Sequence, residues 1–360
     1  MAKEKNNGPG LETYQNHLGY TLGYQLHLPT RNAPEGKKPP VLVYLPGYGG
    51  SMSSKYVTCS MDDVLDSGIA VVRFDTTPVE RDADFNTVKT DTSMLTPSYY
   101  VQTVHAALKH TVKTYGAGGK DLIDTDNIGI NAASYGARNG LYYAAHMNGL
   151  QKRILDEEPV PVKGIILQAP VLSLAPFNRA ILVDRWLSRV SRHKSWKQKG
   201  VINVPIAGYL QDVPYGVYEE FNAVDIFKDV APHVTCPVKM IYGTRDNLSG
   251  AEQIKMLEKS LTQVVPSRKE KCEIKNVGHF FQNMKDVAKL NGLSEEALRA
   301  LVKQARKEDK KDNLIARYIE ENFRDITCLG TVIDESRRFL KEKVFVPPSD
   351  KNGGPHLAAA

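Results

Sequence analysis

The stretch Asn127–Gly140, NIGINAASYGARNG, constrains this chain more than any other. A short apolar run (Ile128, Gly129, Ile130) stops at a serine set among small residues, and a helix-compatible run from Tyr135 to Met147 follows at once. The pattern is strand, sharp turn, helix. Ala132 and Gly136, two residues to either side of Ser134, keep backbone crowding low where a strained residue needs room. A serine so placed stands proud of the end of a sheet. This is the geometry of the nucleophile elbow G-x-S-x-G, here A-x-S-x-G because Ala132 takes the first glycine position.

The rest of the chain supplies a sheet for that elbow to belong to. Val41–Leu45, Ile69–Phe74, Val162–Leu167 and Val238–Tyr242 are short, apolar and rich in β-branched residues, as strands covered on both faces are. Tyr20–Pro29 reads as an early strand and Cys272–Lys275 as the last. Helices are predicted at Tyr56–Leu65, at Ala251–Leu261 and over Pro97–Tyr115, where Tyr100, Val101, Val104, Ala107, Leu108 and Val112 fall at helical spacing. Thr76–Thr96 reads as a long polar loop. Strands separated by helices predict an α/β fold, a mostly parallel central sheet flanked by helices.

Between Pro170 and Pro237 the rhythm changes. Both tryptophans lie there, with several other aromatics and a basic run, Arg185–Lys199, and no clear buried strand. The expectation is an inserted, mainly helical segment over 171–236, interrupting a core made of 1–170 and 237–345. Asn283–Lys343 is expected to be amphipathic helix, with Leu298, Leu301, Ile315, Tyr318, Ile319 and Phe323 facing inward. Residues 346–360 form a tail whose final HLAAA resembles a cloning scar.

Composition narrows the class. With 360 residues, 41% of them hydrophobic, a sizeable core is within reach. A net charge of +6 from 47 basic and 41 acidic residues favours solubility and gives no reason to expect a nucleic-acid partner. The four cysteines, Cys59, Cys236, Cys272 and Cys328, are far apart and form no C-x-x-C pair. That argues against a zinc knuckle, a redox dithiol or a disulfide framework, and for reduced thiols. The N-terminus has no apolar signal region and no later run approaches a membrane span, so a soluble cytoplasmic protein without a membrane partner is expected.

A serine hydroxyl is a poor nucleophile unless a base takes its proton, and that base needs an acid to set its tautomer and favour its charged form. In one chain order known for such triads, acid and then histidine follow the serine, each in a loop after a late strand. Beyond the inserted segment only His279 and His356 remain, and His356 belongs to the excluded tail. Position leaves His279, although a histidine there could also cap or pack. Asp246, in the GTRD turn after Val238–Tyr242, is the preferred acid. Its alternative role is a turn or helix cap, since a helix begins soon after. Glu252, Glu258, Glu270 and Glu273 are placed less well. Acyl transfer puts negative charge on the former carbonyl oxygen, and a fixed backbone N–H there is worth about 3 kcal/mol. Tyr135 N–H, next after the serine, and Tyr48 N–H, in the loop PGYGGS after Val41–Leu45, are the candidate donors. A plain strand-to-helix turn would use the same glycines.

With LPGYGGS, IGINAASYGARNG, IYGTRD and VGH in that order, the chain from about Val41 to Phe281 resembles the α/β-hydrolase superfamily. Within it, the resemblance is to capped esterases and serine peptidases of the cinnamoyl or feruloyl esterase and proline-iminopeptidase kind. It implies a serine hydrolase with no cofactor and a cap over the site. Ser134 would be the nucleophile, Asp246 the acid, His279 the base, and the amides of Tyr48 and Tyr135 the oxyanion hole. Three positions depart from the pattern: Pro46-Gly47 replaces the usual His-Gly, Ala133 stands where histidine is common, and Ala132 adds a methyl where the turn is tight.

The expected partner is a small ester with an apolar or aromatic group, for which Phe177, Trp186, Tyr209, Tyr215 and Tyr218 are candidate contacts. Those aromatics would equally serve as the core of the cap. The run Arg185–Lys199 would suit an acidic substrate or a solvated helix face. Glu219 and Glu220 would suit the free amine of an aminopeptidase substrate. Two further readings compete. A dinucleotide-binding oxidoreductase would use Gly47-x-Gly49 and Asp75, although Met52 takes its third glycine position. The other is a hydrolase-like binding protein without catalysis.

Overall fold

The computed structural model describes residues 11–30, 36–54, 60–81, 87–146, 150, 154–173, 196–206, 209–246, 248–279 and 327–345. Strands β1 (Glu12–Gln15), β2 (Thr21–His27), β3 (Pro40–Leu45), β4 (Ala70–Phe74), β7 (Asp124–Ala133), β8 (Gly164–Gln168), β11 (Val238–Gly243) and β12 (Lys269–Ile274) form one eight-stranded sheet. Its order is β1-β2-β4-β3-β7-β8-β11-β12. β1 and β2 run antiparallel to their neighbours, and from β4 to β12 every pairing is parallel.

Strand β3 shows why the apolar runs sit in the middle. Val41, Val43 and Leu45 point into one core, with helices α2 (Pro97–Tyr115) and α3 (Tyr135–Ala145) over them. Leu42 and Tyr44 alternate into a second core on the opposite face, with α1 (Met61–Leu65) and the C-terminal helix α6 (Thr327–Phe339). A strand covered twice has no polar face to offer, which is what its sequence shows. Helix α2 starts at Thr96, whose side chain accepts from Tyr99 N–H, with Pro97 in the first turn. Its Tyr100, Val101, Val104, Ala107 and Leu108 are buried, as their spacing predicts.

Helix α6 continues through a π-wound turn, Leu340–Val344. Gly129 and Gly164 make room for it: a β-carbon at Gly164 would lie 2.5 Å from Val344 Cγ2, and one at Gly129 3.1 Å from Phe345 Cζ. The buried Lys239 ammonium ties the helix to the sheet through Glu335 (2.5 Å) and Glu270 (3.2 Å). The predicted C-terminal helix is thus present over its described part. Leu298, Leu301, Ile315, Tyr318, Ile319 and Phe323 lie outside the described residues.

Three elements differ from the sequence reading. β1 precedes the expected first strand, and β5 (Val79–Arg81) with β6 (Thr87–Thr90) makes a small hairpin inside the expected polar loop. In the inserted segment, β9 (Val201–Ile206) and β10 (Tyr209–Pro214) pair as an antiparallel ribbon that leads into α4 (Tyr215–Ala223). A two-stranded ribbon has only edges, so it tolerates Pro205 and lacks the continuous apolar signature of a buried strand. Residues 174–195, with Phe177, Trp186 and most of the basic run, lie outside the described residues; Lys197–Lys199 at its end are exposed. Among the described residues no helix is long and apolar enough to cross a membrane.

Candidate active site

Ser134 joins β7 to α3 with φ 53° and ψ −117°, a conformation that L-residues rarely adopt and that costs about 1–3 kcal/mol. Backbone hydrogen bonds to β8, to the residues after it and to α3 hold it there. Ser134 N–H donates to Gln168 O at 2.8 Å, and its carbonyl accepts from Val171 N–H and Ala137 N–H, both at 3.1 Å. The turn leaves no room for a side chain at Gly136: a β-carbon would lie 2.3 Å from Pro46 O and 2.8 Å from Leu45 O. Gly136→Ala should therefore push the 46–48 loop outward, costing about 1–3 kcal/mol of stability and most of any activity together. Thermal melts beside initial rates check this, and an unshifted melt would show that the loop yields freely.

Ala132, the departure from the elbow pattern, is fully buried with its methyl toward α3. The helix makes room for it at Gly140, where a β-carbon would stand 3.3 Å from Ala132 Cβ. The glycine missing from the strand is found on the facing helix.

Asp246 and His279 sit on loops after β11 and β12, at the same sheet end as Ser134. The two loops brace each other. Thr244 N–H donates to Ile274 O (3.0 Å), Arg245 N–H to Val277 O (2.9 Å) and Asn276 N–H to Thr244 Oγ1 (2.8 Å). The Asp246 side chain is fully buried. Its Oδ1 accepts from Leu248 N–H (2.8 Å) and Ser249 N–H (2.9 Å), while Oδ2 meets His279 Nδ1 at 2.8 Å. His279 Nε2 in turn lies 2.8 Å from Ser134 Oγ. A carboxylate at Nδ1 requires the proton there, which leaves Nε2 as an acceptor facing the serine hydroxyl. Asp246 thus both meets the imidazole and organises its own turn. It does not cap helix α5 (Ala251–Ser260), whose N-cap is Gly250.

The Pro46–Tyr48 loop passes beside Ser134: a β-carbon on Gly47 would be 3.3 Å from Ser134 Cβ and 3.7 Å from Oγ. Among the described residues, no acceptor meets the backbone N–H of Tyr48 or of Tyr135. Tyr135 opens α3, so its N–H is one of the helix's unpaired first-turn donors, at the positive end of the helix dipole.

Tyr215 and Tyr218 form a cluster with Trp196, ring centroids 5.5–5.7 Å apart, and Trp196 Nε1–H donates to Val213 O at 3.0 Å. Trp196 and Tyr218 are half-buried and pack against the main core. Phe177 and Trp186 lie outside the described residues, as does the side chain of Tyr209. Glu220 accepts from Ser98 N–H (2.6 Å) and Ser98 Oγ–H (2.7 Å) and so caps α2. Glu219 is exposed.

Arg138, which the sequence reading left without a role, and Phe221, one of the inserted segment's aromatics, join α3 to that segment. Phe221 stacks on the Tyr135 ring (5.8 Å, 23°), and the Arg138 guanidinium lies 4.1 Å from the Phe221 ring centroid. Arg138 is buried and donates to Leu172 O and Val224 O, each at 3.0 Å; burial lowers its pKa to about 10. Its position four residues after the serine, one helical turn on, was the available signal.

Asp75 is engaged elsewhere than at a ribose. Both its oxygens accept from Arg81 (2.7 and 2.6 Å), and Oδ1 also accepts from Met52 N–H (3.1 Å). Burial pushes its carboxyl pKa up, with Arg81 opposing. The Gly47–Gly49 loop packs on Ser134, so the dinucleotide reading is set aside.

The parallel sheet with its antiparallel β1–β2 edge, and a strained serine between a strand and a helix, define an α/β-hydrolase fold. Among solved structures, the chain is similar to DcsB in complex with a substrate analogue: TM-score 0.57, 13% identity, covering 93% of this chain and 98% of that one. It is also similar to Est1E from Butyrivibrio proteoclasticus with ferulic acid bound (0.54, 14%, 82% and 100%) and to mouse alpha/beta hydrolase domain-containing protein 10 (0.51, 17%, 84% and 100%). No family model matches the chain, and no curated protein matches its sequence. At these identities the likeness is one of fold.

Proposed function

We propose that the chain is a serine hydrolase that cleaves a small carboxylic ester through an acyl-enzyme on Ser134. The observation that carries this reading is the relay of 2.8 Å contacts from Ser134 Oγ through His279 to the buried Asp246. In the first step Ser134 Oγ bonds to the ester carbonyl carbon, its proton passes to His279 Nε2, and the carbonyl π electrons move onto the oxygen, which Tyr48 N–H and Tyr135 N–H would receive. Collapse of that intermediate breaks the C–O bond to the alcohol, which leaves with the proton from His279. Water then repeats the sequence on the acyl-enzyme and releases the acid.

An ester is favoured over a free-amine peptide because Glu220, one of the two acids weighed for an ammonium group, is held by Ser98. The ferulic acid bound to Est1E supports testing aromatic acyl groups first. A fluorophosphonate probe is expected to label the protein stoichiometrically at Ser134, read by peptide mass. Failure of the folded protein to label would remove the hydrolase reading. A panel of p-nitrophenyl esters, a feruloyl ester and a prolyl anilide then orders the substrates, and turnover of the anilide alone would reverse the preference for esters.

A further inference from the structure

The loop carrying Tyr48 is tied at two points, and the ties come from different parts of the chain. At Pro46 the tie is to the core: the carbonyl accepts from Tyr100 Oη–H of α2 at 2.6 Å. At Tyr48 it is to the inserted segment. The phenol donates to Asp212 O of β10 at 2.9 Å, with Thr92 O more distant at 3.4 Å. Both acceptors are carbonyls, so the phenol must be the donor, and its single proton is held there. Burial raises the Tyr48 phenol pKa far above the ordinary value, so it remains a donor throughout the working pH range.

The next residues of both segments also meet. Gly49 has φ +69°, and a β-carbon on it would fall 2.7 Å from the Gln211 carboxamide, which lies directly against the loop. Thr92 Oγ1 reaches Gln211 Oε1 at 3.4 Å. On the other side, the Tyr48 ring packs edge-on against Tyr135 (5.1 Å, 83°), whose hydroxyl donates to Leu95 O at 3.0 Å. The side chains of the two residues that carry the candidate oxyanion donors are thus in contact, and one of them is anchored in the inserted hairpin.

We propose that Tyr48 is a positioning residue through which the β9–β10 hairpin holds an oxyanion donor: its phenol, bonded to Asp212 O, orients the residue 48 backbone and so aims its N–H beside Ser134. This rests on the acyl-transfer reading above. The inserted segment then helps to assemble the catalytic site. Hydroxyl and amide have separate tasks on one residue, the hydroxyl holding the loop and the amide meeting the charge.

The test is Tyr48→Phe, which deletes one oxygen and keeps the ring contact with Tyr135. Losing an oxyanion donor outright costs about 10²–10³ in kcat, so misaiming one should cost about tenfold, with KM changed by less than about twofold. The discriminating readout is an aryl trifluoromethyl ketone, which adds to Ser134 as a hemiketal whose oxyanion occupies the same position. Its affinity should weaken by the same factor as kcat/KM, while that of the unreactive methyl ketone stays unchanged. Wild-type kcat and ketone affinity in Tyr48→Phe would overturn the proposal, as would a loss of kcat with ketone affinity unmoved. If Tyr48→Phe loses its cooperative melt, Gln211→Ala removes the other contact between the hairpin and this loop, at Gly49, while the Tyr48–Asp212 bond stays. Because the same hairpin seats both contacts, it should lower the same two quantities together by a smaller factor, and wild-type values there would overturn the coupling. A wild-type protein inert to esters and to the ketone sinks the acyl-transfer reading itself, and the coupling with it. An active wild type with an unaffected variant sinks the coupling alone.

Discussion

Replacing Ser134 with alanine should lower kcat/KM toward a p-nitrophenyl ester by about 10⁴–10⁶-fold, leaving what binding and the oxyanion donors supply. The fold should be indifferent to the change. Alanine carries the same β-carbon through the same positive φ, so the turn's strain is unaltered, and the bonds that hold the turn, to Gln168, Val171 and Ala137, are all made by the backbone. Among the described residues, the hydroxyl lost has one hydrogen-bond partner, His279 Nε2. Initial rates on purified protein, paired with a thermal melt, separate the two effects. A variant with an unchanged melt that keeps most of its turnover would place the nucleophile elsewhere.

The site was legible where its signal was local. A strand and a helix with one serine between them need small residues at the turn, and Gly136 shows the reason in the carbonyls its β-carbon would strike. Asp246 and His279 were legible from position, because parallel strands deliver their following loops to one sheet end. What closes the relay is tertiary: the loops after β11 and β12 brace each other through Thr244, Arg245 and Asn276, and no spacing in the chain states that.

Ala132 illustrates a limit of motif reading. The rule asks for room at the turn and is usually met by a glycine in the strand; here the room comes from Gly140, one element later. A pattern confined to five residues cannot see that exchange. The β9–β10 ribbon escaped for a different reason. Strand signals are strongest when both faces are buried, and a two-stranded ribbon with a proline in it has little such signal. Arg138 and Phe221 acquire roles only through partners far away in sequence, Leu172 and Val224 for the guanidinium and Tyr135 for the ring.

Asp246→Asn separates the two roles open to Asp246, since asparagine serves a turn about as well as aspartate but cannot serve the imidazole. The amides of Leu248 and Ser249 require an oxygen at the Oδ1 position, so the carboxamide nitrogen must take the place of Oδ2, facing His279 Nδ1. That nitrogen is a donor. The ring answers by accepting at Nδ1 and carrying its proton on Nε2, which then points a hydrogen at Ser134 Oγ and cannot take one away. Turnover at neutral pH should fall about 10⁴-fold, with KM little changed and the melt close to wild type. If Asp246 only organised the turn, the asparagine variant would keep both amide bonds and its activity. Steady-state kinetics of this one variant therefore decides between a catalytic acid and a turn organiser at the same residue.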